Sequence, residues 1–385
     1  VNALRYLPFV RRGLLRRGPP LHLTLFVTGA CNARCRHCFH WEEVAAGVPG
    51  PSVQNVVKLA DSAARMGPLL WVSFGGGEPL LRRDLPELAA AFGRHGLRHL
   101  AIPTNGLVEA WQHDTVETIL AQNPDTFLSV SVSFDGPPDI HDSIRQVPGG
   151  HARSLASVRR YKEQAAGRPQ RLGVGIILTV TSENQHVLAD HLDELVGELQ
   201  PDNVTINLAR GKPMEPHLLA VDPARYAEVV ARKRALMEQG RLPYFDFPAA
   251  RLAVARDRLM YAHVERLARG DRSVHLPCTA GTLSAVIFED GAVHPCEILG
   301  RPLGQLRDTD WDLAALWRTG AADELRRWIR DTRCACTWEC AQADNVLFRP
   351  ASWPALAAGT LRGRAGRAPA APATLAPASG RTIQH

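Results

Sequence analysis

The sequence predicts an α/β protein built on a parallel sheet, and three observations carry this. Short apolar runs at 21–27, 70–74, 97–102, 127–134, 172–180 and 204–208 read as buried strands. Between them, segments 52–66, 84–95, 114–122, 152–166 and 186–199 read as helices. Several show apolar residues three and four apart, as at Leu192, Leu195 and Leu199. Strands alternating with helices imply crossover connections, hence parallel pairing under an outer layer of helices. The third observation is that polar residues and glycines recur at the C-terminal ends of these strands. In parallel β/α barrels that edge is where sites are built.

The elements follow in order. The first strand ends at Thr28 and Gly29, and a loop then presents Cys31, Cys35 and Cys38 in a C-x3-C-x2-C spacing. Thiolates favour soft metals, including iron–sulfur clusters. Three of them can reach three irons of a cubane [4Fe–4S] cluster and leave the fourth open to a small chelating ligand. The alternative is zinc on the three thiolates with His37 or His40. A secretory signal is a poor fit, because the apolar stretch after Arg16 and Arg17 is short and contains His22. The second strand runs into Gly75-Gly-Gly-Glu-Pro79. Consecutive glycines let a backbone approach a ligand closely, and Glu78 with nearby carbonyls can accept hydrogen bonds from an ammonium group. The third strand ends in Thr104-Asn105-Gly106, the fourth in Ser133-Phe-Asp135-Gly136. The fifth leads to Asn184 and the sixth to Arg210. Each cluster alone is ordinary turn sequence; their repetition at successive strand ends is the signal.

These motifs together resemble the radical S-adenosylmethionine (radical SAM) enzymes. Cys31-Asn-Ala-Arg-Cys35-Arg-His-Cys38 is similar to that family's cluster loop, with His37 where an aromatic residue is usual. Gly76-Gly77-Glu78-Pro79 is similar to its motif for the methionine amino group. Ser133 and Asp135 match strand-end positions near the ribose, and Thr104 and Asn105 join them as cofactor-site residues. His141-Asp142-Ser-Ile-Arg145 resembles a segment whose arginine meets the methionine carboxylate. The resemblance covers residues 21 to about 210 and implies a partial (β/α)6 barrel with a lateral mouth that a second domain could cover. It also implies a [4Fe–4S] cluster that binds S-adenosylmethionine at its open iron. Reductive cleavage of that molecule then yields a 5′-deoxyadenosyl radical, which abstracts a hydrogen atom from substrate.

The remaining five cysteines, Cys278, Cys296, Cys334, Cys336 and Cys340, all lie beyond the barrel. Cys278 and Cys296 bracket an apolar run at 283–288, the turn Glu289-Asp-Gly291 and a returning Val293, which is a hairpin pattern. This region resembles the auxiliary-cluster extension called SPASM, or its shorter form, twitch, and Cys336-Thr-Trp-Glu-Cys340 resembles its closing pair. A full extension has seven cysteines and two clusters, so five imply one auxiliary [4Fe–4S] cluster. By position its ligands are Cys278, Cys296 and Cys340, with Cys334 or Cys336 as the fourth and one thiol to spare. A structural zinc site is the alternative for this group.

The expected organisation is a basic amphipathic segment at 1–20, a radical SAM core at 21–215 and a helical connector at 216–272. An auxiliary-cluster domain at 273–348 and an Ala/Pro-rich disordered tail at 349–385 complete it. The formal charge of +6 is uneven. Nine arginines and no acids occupy 1–20 and 351–385, leaving −3 for the rest, so nothing supports a nucleic-acid groove. Cysteines in cluster spacings suit a reducing, anaerobic cytoplasm rather than a disulfide framework. Residues 1–18 offer a peripheral membrane contact, against the alternative that they pack along the barrel. The resulting expectation is an oxidoreductase or modifying enzyme. Its substrate is a small or lipid-linked molecule, and its electrons come from a low-potential donor such as ferredoxin or flavodoxin. A maturase of ribosomally made peptides is the alternative within enzymes, and an iron–sulfur electron carrier or redox sensor the alternative outside them.

Overall fold

The computed structural model describes residues 6–15, 20–107 and 109–362. Its strands are β1 (His22–Thr28), β2 (Trp71–Gly76), β3 (His99–Thr104), β4 (Phe127–Phe134), β5 (Leu172–Val180), β6 (Asn203–Leu208), β7 (Ser284–Ile287), β8 (Ala292–His294) and β9 (Gly304–Gln305). They form one sheet in the order β6-β5-β4-β3-β2-β1-β7-β8-β9. The first six run parallel, as the alternation of strands and helices predicts. The end strands β6 and β9 are not paired with each other, so the barrel stays open. The C-terminal hairpin, expected within a small domain of its own, continues this sheet. Its first strand β7 pairs in parallel with β1, placing Leu25 opposite Phe74 on one side and Ile287 on the other. The antiparallel pairs are β7 with β8 and β8 with β9.

The five crossover helices cover one face of the sheet, at Val53–Met66, Leu85–Gly93, Ala110–Gln122, Gly150–Ala165 and Leu188–Leu199. Ser52 caps the first of them by accepting the Asn55 N–H at 3.2 Å. The third begins four residues earlier than its apolar spacing predicts, because the Gln112 side chain accepts the Glu109 N–H in a capping box. The helix-facing side chains form one core, including Leu23, Leu25, Phe74, Ile102, Val132 and Ile176. Burying each such side chain contributes roughly 1.5–3 kcal/mol.

Because side chains alternate along a strand, the concave face receives the intervening residues. Toward the C-terminal edge these include Ser73, Gly75, Ser131, Ser133 and Thr179, which are small and leave room for a ligand. At the N-terminal end the same face is plugged by aromatics. His99 stacks on Trp71 with centroids 5.2 Å apart and meets Phe247 edge-on at 4.7 Å.

The expected helical connector at 216–272 forms two helices, Pro223–Glu238 and Ala250–Ala268. The expectation of a disordered tail from 349 needs correction, because residues Trp353–Arg362 are helical. A Cβ added at Gly359 would lie 2.9 Å from the Ala255 Cβ, and Leu356 is buried. The Ala/Gly composition that reads as low complexity is what lets these two helices approach closely. Residues 363–385 lie outside the described residues.

Of the N-terminal segment, Leu7–Leu15 is a helix whose Phe9 packs with Leu21, Leu283 and Phe348. Leu7 and Val10 on its other face are 64% and 47% exposed. Among the described residues, no helix is long and apolar enough to cross a membrane. Phe9→Ala should destabilise the protein by about 3 kcal/mol in denaturant unfolding, whereas Leu7→Ala should stay within about 0.5 kcal/mol. Equal effects would mean that this helix is not docked.

Candidate active site at the C-terminal edge of the sheet

The loop after β1 carries Cys31, Cys35 and Cys38, and two neighbouring segments hold its backbone. On one side Gly77 N–H donates to Thr28 O at 2.6 Å and Glu78 N–H to Ala30 O at 2.8 Å. A Cβ at Gly76 would stand 2.3 Å from Thr28 O, and one at Gly77 2.2 Å from Ala30 O. Gly76 also has φ +118°, so both positions require glycine. On the other side Arg34 N–H donates to Arg145 O and Arg36 N–H to Ile144 O, at 3.2 and 2.8 Å. These carbonyls end the helix Pro138–Arg145.

The Glu78 carboxylate turns inward. It accepts from Leu80 N–H at 3.0 Å, Thr104 Oγ1–H at 2.9 Å and Asn105 N–H at 2.7 Å. Burial nonetheless holds its carboxyl above the usual carboxylate range. Glu78 thus ties the glycine loop to the end of β3. The 3-10 turn Pro79–Leu81 follows it, with Glu78 as its cap and Pro79 in first position. Asn105 continues the network. Its Nδ2 lies 3.8 Å from Cys31 Sγ and donates to Asn32 Oδ1 at 2.7 Å.

Asp135 and Arg145 are fully buried and paired with each other, Arg145 Nε donating to Asp135 Oδ2 at 2.7 Å. The resemblance implied separate ribose and methionine-carboxylate roles for them; the fold joins them. Asn184 Nδ2 fixes the Asp135 carbonyl at 3.0 Å. Burial pushes the Asp135 carboxyl up, but the Arg145 charge, with His37 and His141, outweighs it and holds the group below its ordinary value. Arg145 also favours the thiolates of Cys31 and Cys35. Ser133 is half-buried one turn of the pleat earlier, on the concave face of β4.

Burial raises all three thiols of this loop, Cys35 to about 12 and Cys38 to about 11. Thiols so placed become thiolates only when a metal compensates the charge. Several cysteines also accept a backbone N–H from two residues on: Cys31 from Ala33, Cys38 from His40, Cys278 from Ala280, Cys296 from Ile298 and Cys336 from Trp338. Such bonds stabilise cluster-bound sulfur. Neither histidine considered for zinc joins the thiols. His37 Nε2 lies 4.0 Å from Asp135 Oδ1, and His40 Nε2 donates to Glu289 Oε1 at 2.8 Å. Among the described residues, the one trio of His, Cys, Asp or Glu ligand atoms mutually within 4.8 Å is Glu183, Glu215 and His217. Arg36 already pairs with both of those glutamates. Among the described residues no trio drawn from either cysteine group meets that limit.

The five C-terminal cysteines are likewise free thiols. Burial raises Cys278 and Cys340 to about 12 and Cys336 to about 11. Cys336, Cys334 and Cys296 add to the rise at Cys278, and Cys296 and Cys334 to that at Cys336. Cys340 is the second residue of the helix Glu339–Leu347, and its charged neighbours are Glu297, Arg210, Glu339 and Asp344.

Sequence reasoning left Glu297, Glu339 and Trp338 without a role. Trp338 packs with Phe26 and Cys296. The glutamates hold Arg210, whose guanidinium donates to Glu297 Oε2 at 3.0 Å and to Glu339 Oε2 at 3.2 Å. Glu339 also accepts the Leu208 N–H at 2.8 Å. The trio pins the end of β6 to the C-terminal segment across the open side of the barrel. Burial raises the Glu339 carboxyl to about 7, even against Arg210.

Comparison with known proteins agrees with this geometry. Residues 25–195 match the Radical SAM superfamily. That stretch is a radical SAM domain. It is 27% identical over 340 residues to the Fe-coproporphyrin III synthase of Methanosarcina barkeri, covering 81% of this chain and 79% of that protein. To the sporulation killing factor maturation protein SkfB of Bacillus subtilis it is 23% identical over 334 residues, covering 84% and 71%. Streptococcus suis SuiB, solved with its precursor peptide SuiA, shares the fold with a TM-score of 0.59 at 15% identity, covering 84% of this chain and 70% of that one.

Removing Arg145 as Arg145→Met should destabilise the fold by about 3–5 kcal/mol, because Asp135 is left buried and uncompensated. The depressed Asp135 carboxyl contributes stability that is present above about pH 4, its unfolded value, and lost as pH falls through its folded value. Asp135→Asn should therefore flatten the acid limb of the stability profile, read by urea unfolding at pH 2–7. An acid limb unchanged from the parent would contradict the pairing.

Proposed function

We propose that Cys31, Cys35 and Cys38 hold a [4Fe–4S] cluster and that the glycine loop and strand ends around it hold S-adenosylmethionine. The observation that carries this is the docking of the thiol loop on Gly76, Gly77 and Glu78 by paired backbone hydrogen bonds. When bound, the cluster and S-adenosylmethionine supply a 5′-deoxyadenosyl radical able to take a hydrogen atom from substrate.

The chain's own residues do the rest. Asn105, Arg145 and the backbone N–H groups favour the sulfur-bound, charged form of the thiols. Glu78, through Thr104 and Asn105, keeps the glycine loop in register, and Ser133 borders the space above it. The Arg210 trio shields the open side of the barrel and limits access of water to that space. Cys278, Cys296 and Cys340, with Cys334 or Cys336, supply the ligand set for one auxiliary cluster in a SPASM- or twitch-like extension, which would accept an electron from a product radical and make the net reaction an oxidation. The electron entering the first cluster comes from a low-potential carrier such as ferredoxin or flavodoxin. A small-molecule or lipid-linked substrate is the first reading, supported by the likeness to a porphyrin synthase. A ribosomally made peptide is the second, supported by the likeness to SkfB and SuiB over most of their lengths.

Anaerobic reconstitution with iron and sulfide, followed by dithionite and S-adenosylmethionine, should release 5′-deoxyadenosine detectable by mass spectrometry. Cys35→Ala should abolish it; release that persists in this variant would refute the assignment. Iron counting tests the second site. Alanine at 278, 296 or 340 should each lose the auxiliary iron, and one of Cys334→Ala and Cys336→Ala should keep it.

A further inference from the structure

We infer that Glu289, in the turn between β7 and β8, is a positioning residue for the cluster loop and acts through His40. The inference rests on the cluster reading above. Glu289 and His40 are both buried, at 1% and 3% exposure, and lie 249 residues apart in the chain. His40 Nε2–H donates to Glu289 Oε1 at 2.8 Å, and the other ring nitrogen, Nδ1, lies 3.2 Å from Glu43 Oε2. Both ring nitrogens are thus taken by carboxylates, which fixes the orientation of the ring. Phe26 meets it edge-on at 4.7 Å and Phe288 stacks on it at 5.7 Å.

The backbone of this fixed residue matters most. His40 N–H is the donor to the Cys38 sulfur. The same Glu289 carboxylate stands against the glycine loop, where a Cβ at Gly76 would come within 3.2 Å of Oε1. One buried side chain from the C-terminal hairpin therefore touches the residue that bonds Cys38 and the backbone of the glycine motif. Hydrogen bonds to cluster sulfur stabilise the reduced state and raise its potential. Glu289 sets that bond by holding His40, so the C-terminal hairpin bears on the cluster's readiness to accept an electron.

The test uses the reconstituted full chain and an EPR-monitored redox titration of the signal that changes shape on adding S-adenosylmethionine. Amide exchange of residues 36–46 is followed in parallel, with and without iron. Glu289→Ala should lower the midpoint potential of that signal and speed exchange at 38–44. Glu289→Gln keeps an acceptor for His40 and should restore both toward the parent. Should the alanine variant fold poorly, His40→Phe keeps the aromatic packing, loses the bond and should lower the potential likewise. Parental potential and exchange in Glu289→Ala or His40→Phe would overturn the inference. So would a glutamine variant as perturbed as the alanine one, which would indicate charge rather than position. Absence of any S-adenosylmethionine-sensitive signal in the parent would instead refute the cluster reading, and the iron-free exchange would still decide whether Glu289 orders the loop.

Discussion

The placement of β1 is the constraint on which the rest depends. It lies between β2 and β7, parallel to both, with Leu25 in register with Phe74 and Ile287. Parallel strands buried under helices tolerate little slippage, since a shift of one residue would turn Leu23, Leu25 and Val27 out of the core. That register delivers three things to one edge. The thiol loop leaves the end of β1, the glycine loop leaves the end of β2, and the Glu289 turn leaves the end of β7. The bonds from Gly77 and Glu78 to Thr28 and Ala30, and from His40 to Glu289, are consequences of this common edge.

A second principle is the division of the sheet into two faces. The helix side is aliphatic and tightly packed. The concave side is small and polar toward the C-terminal edge and aromatic at the opposite end, where Trp71, His99 and Phe247 close it. Space is therefore available only where the loops bring chemistry. The open side of the barrel is spanned by Arg210 between Glu297 and Glu339. A buried charge with two carboxylate partners holds a geometry well, though its net stability contribution is modest because all three groups lose water.

The thiol loop within the radical SAM domain carries three residues that are inert alone. Burial keeps Cys31, Cys35 and Cys38 protonated without metal. Assembly of the site is therefore coupled to metal binding. The C-terminal thiols follow the same logic, with Cys340 beside Arg210 and Glu339.

Much of this was legible in the sequence. Apolar runs located the six parallel strands, because strand burial is a local pattern. Cysteine spacing and the glycine run located the site loops, because ligand geometry and close backbone approach restrict residue types over a few positions. The rest lay in contacts between distant segments. Nothing near Glu289 signals His40. The pairing of Asp135 with Arg145 looked like two separate binding roles, and the helix Trp353–Arg362 looked like tail because its small residues carry no apolar stripe. Local sequence determined which faces are buried and which loops can bind. Only the tertiary structure decided which buried charges meet, since that depends on strand order and register across more than two hundred residues.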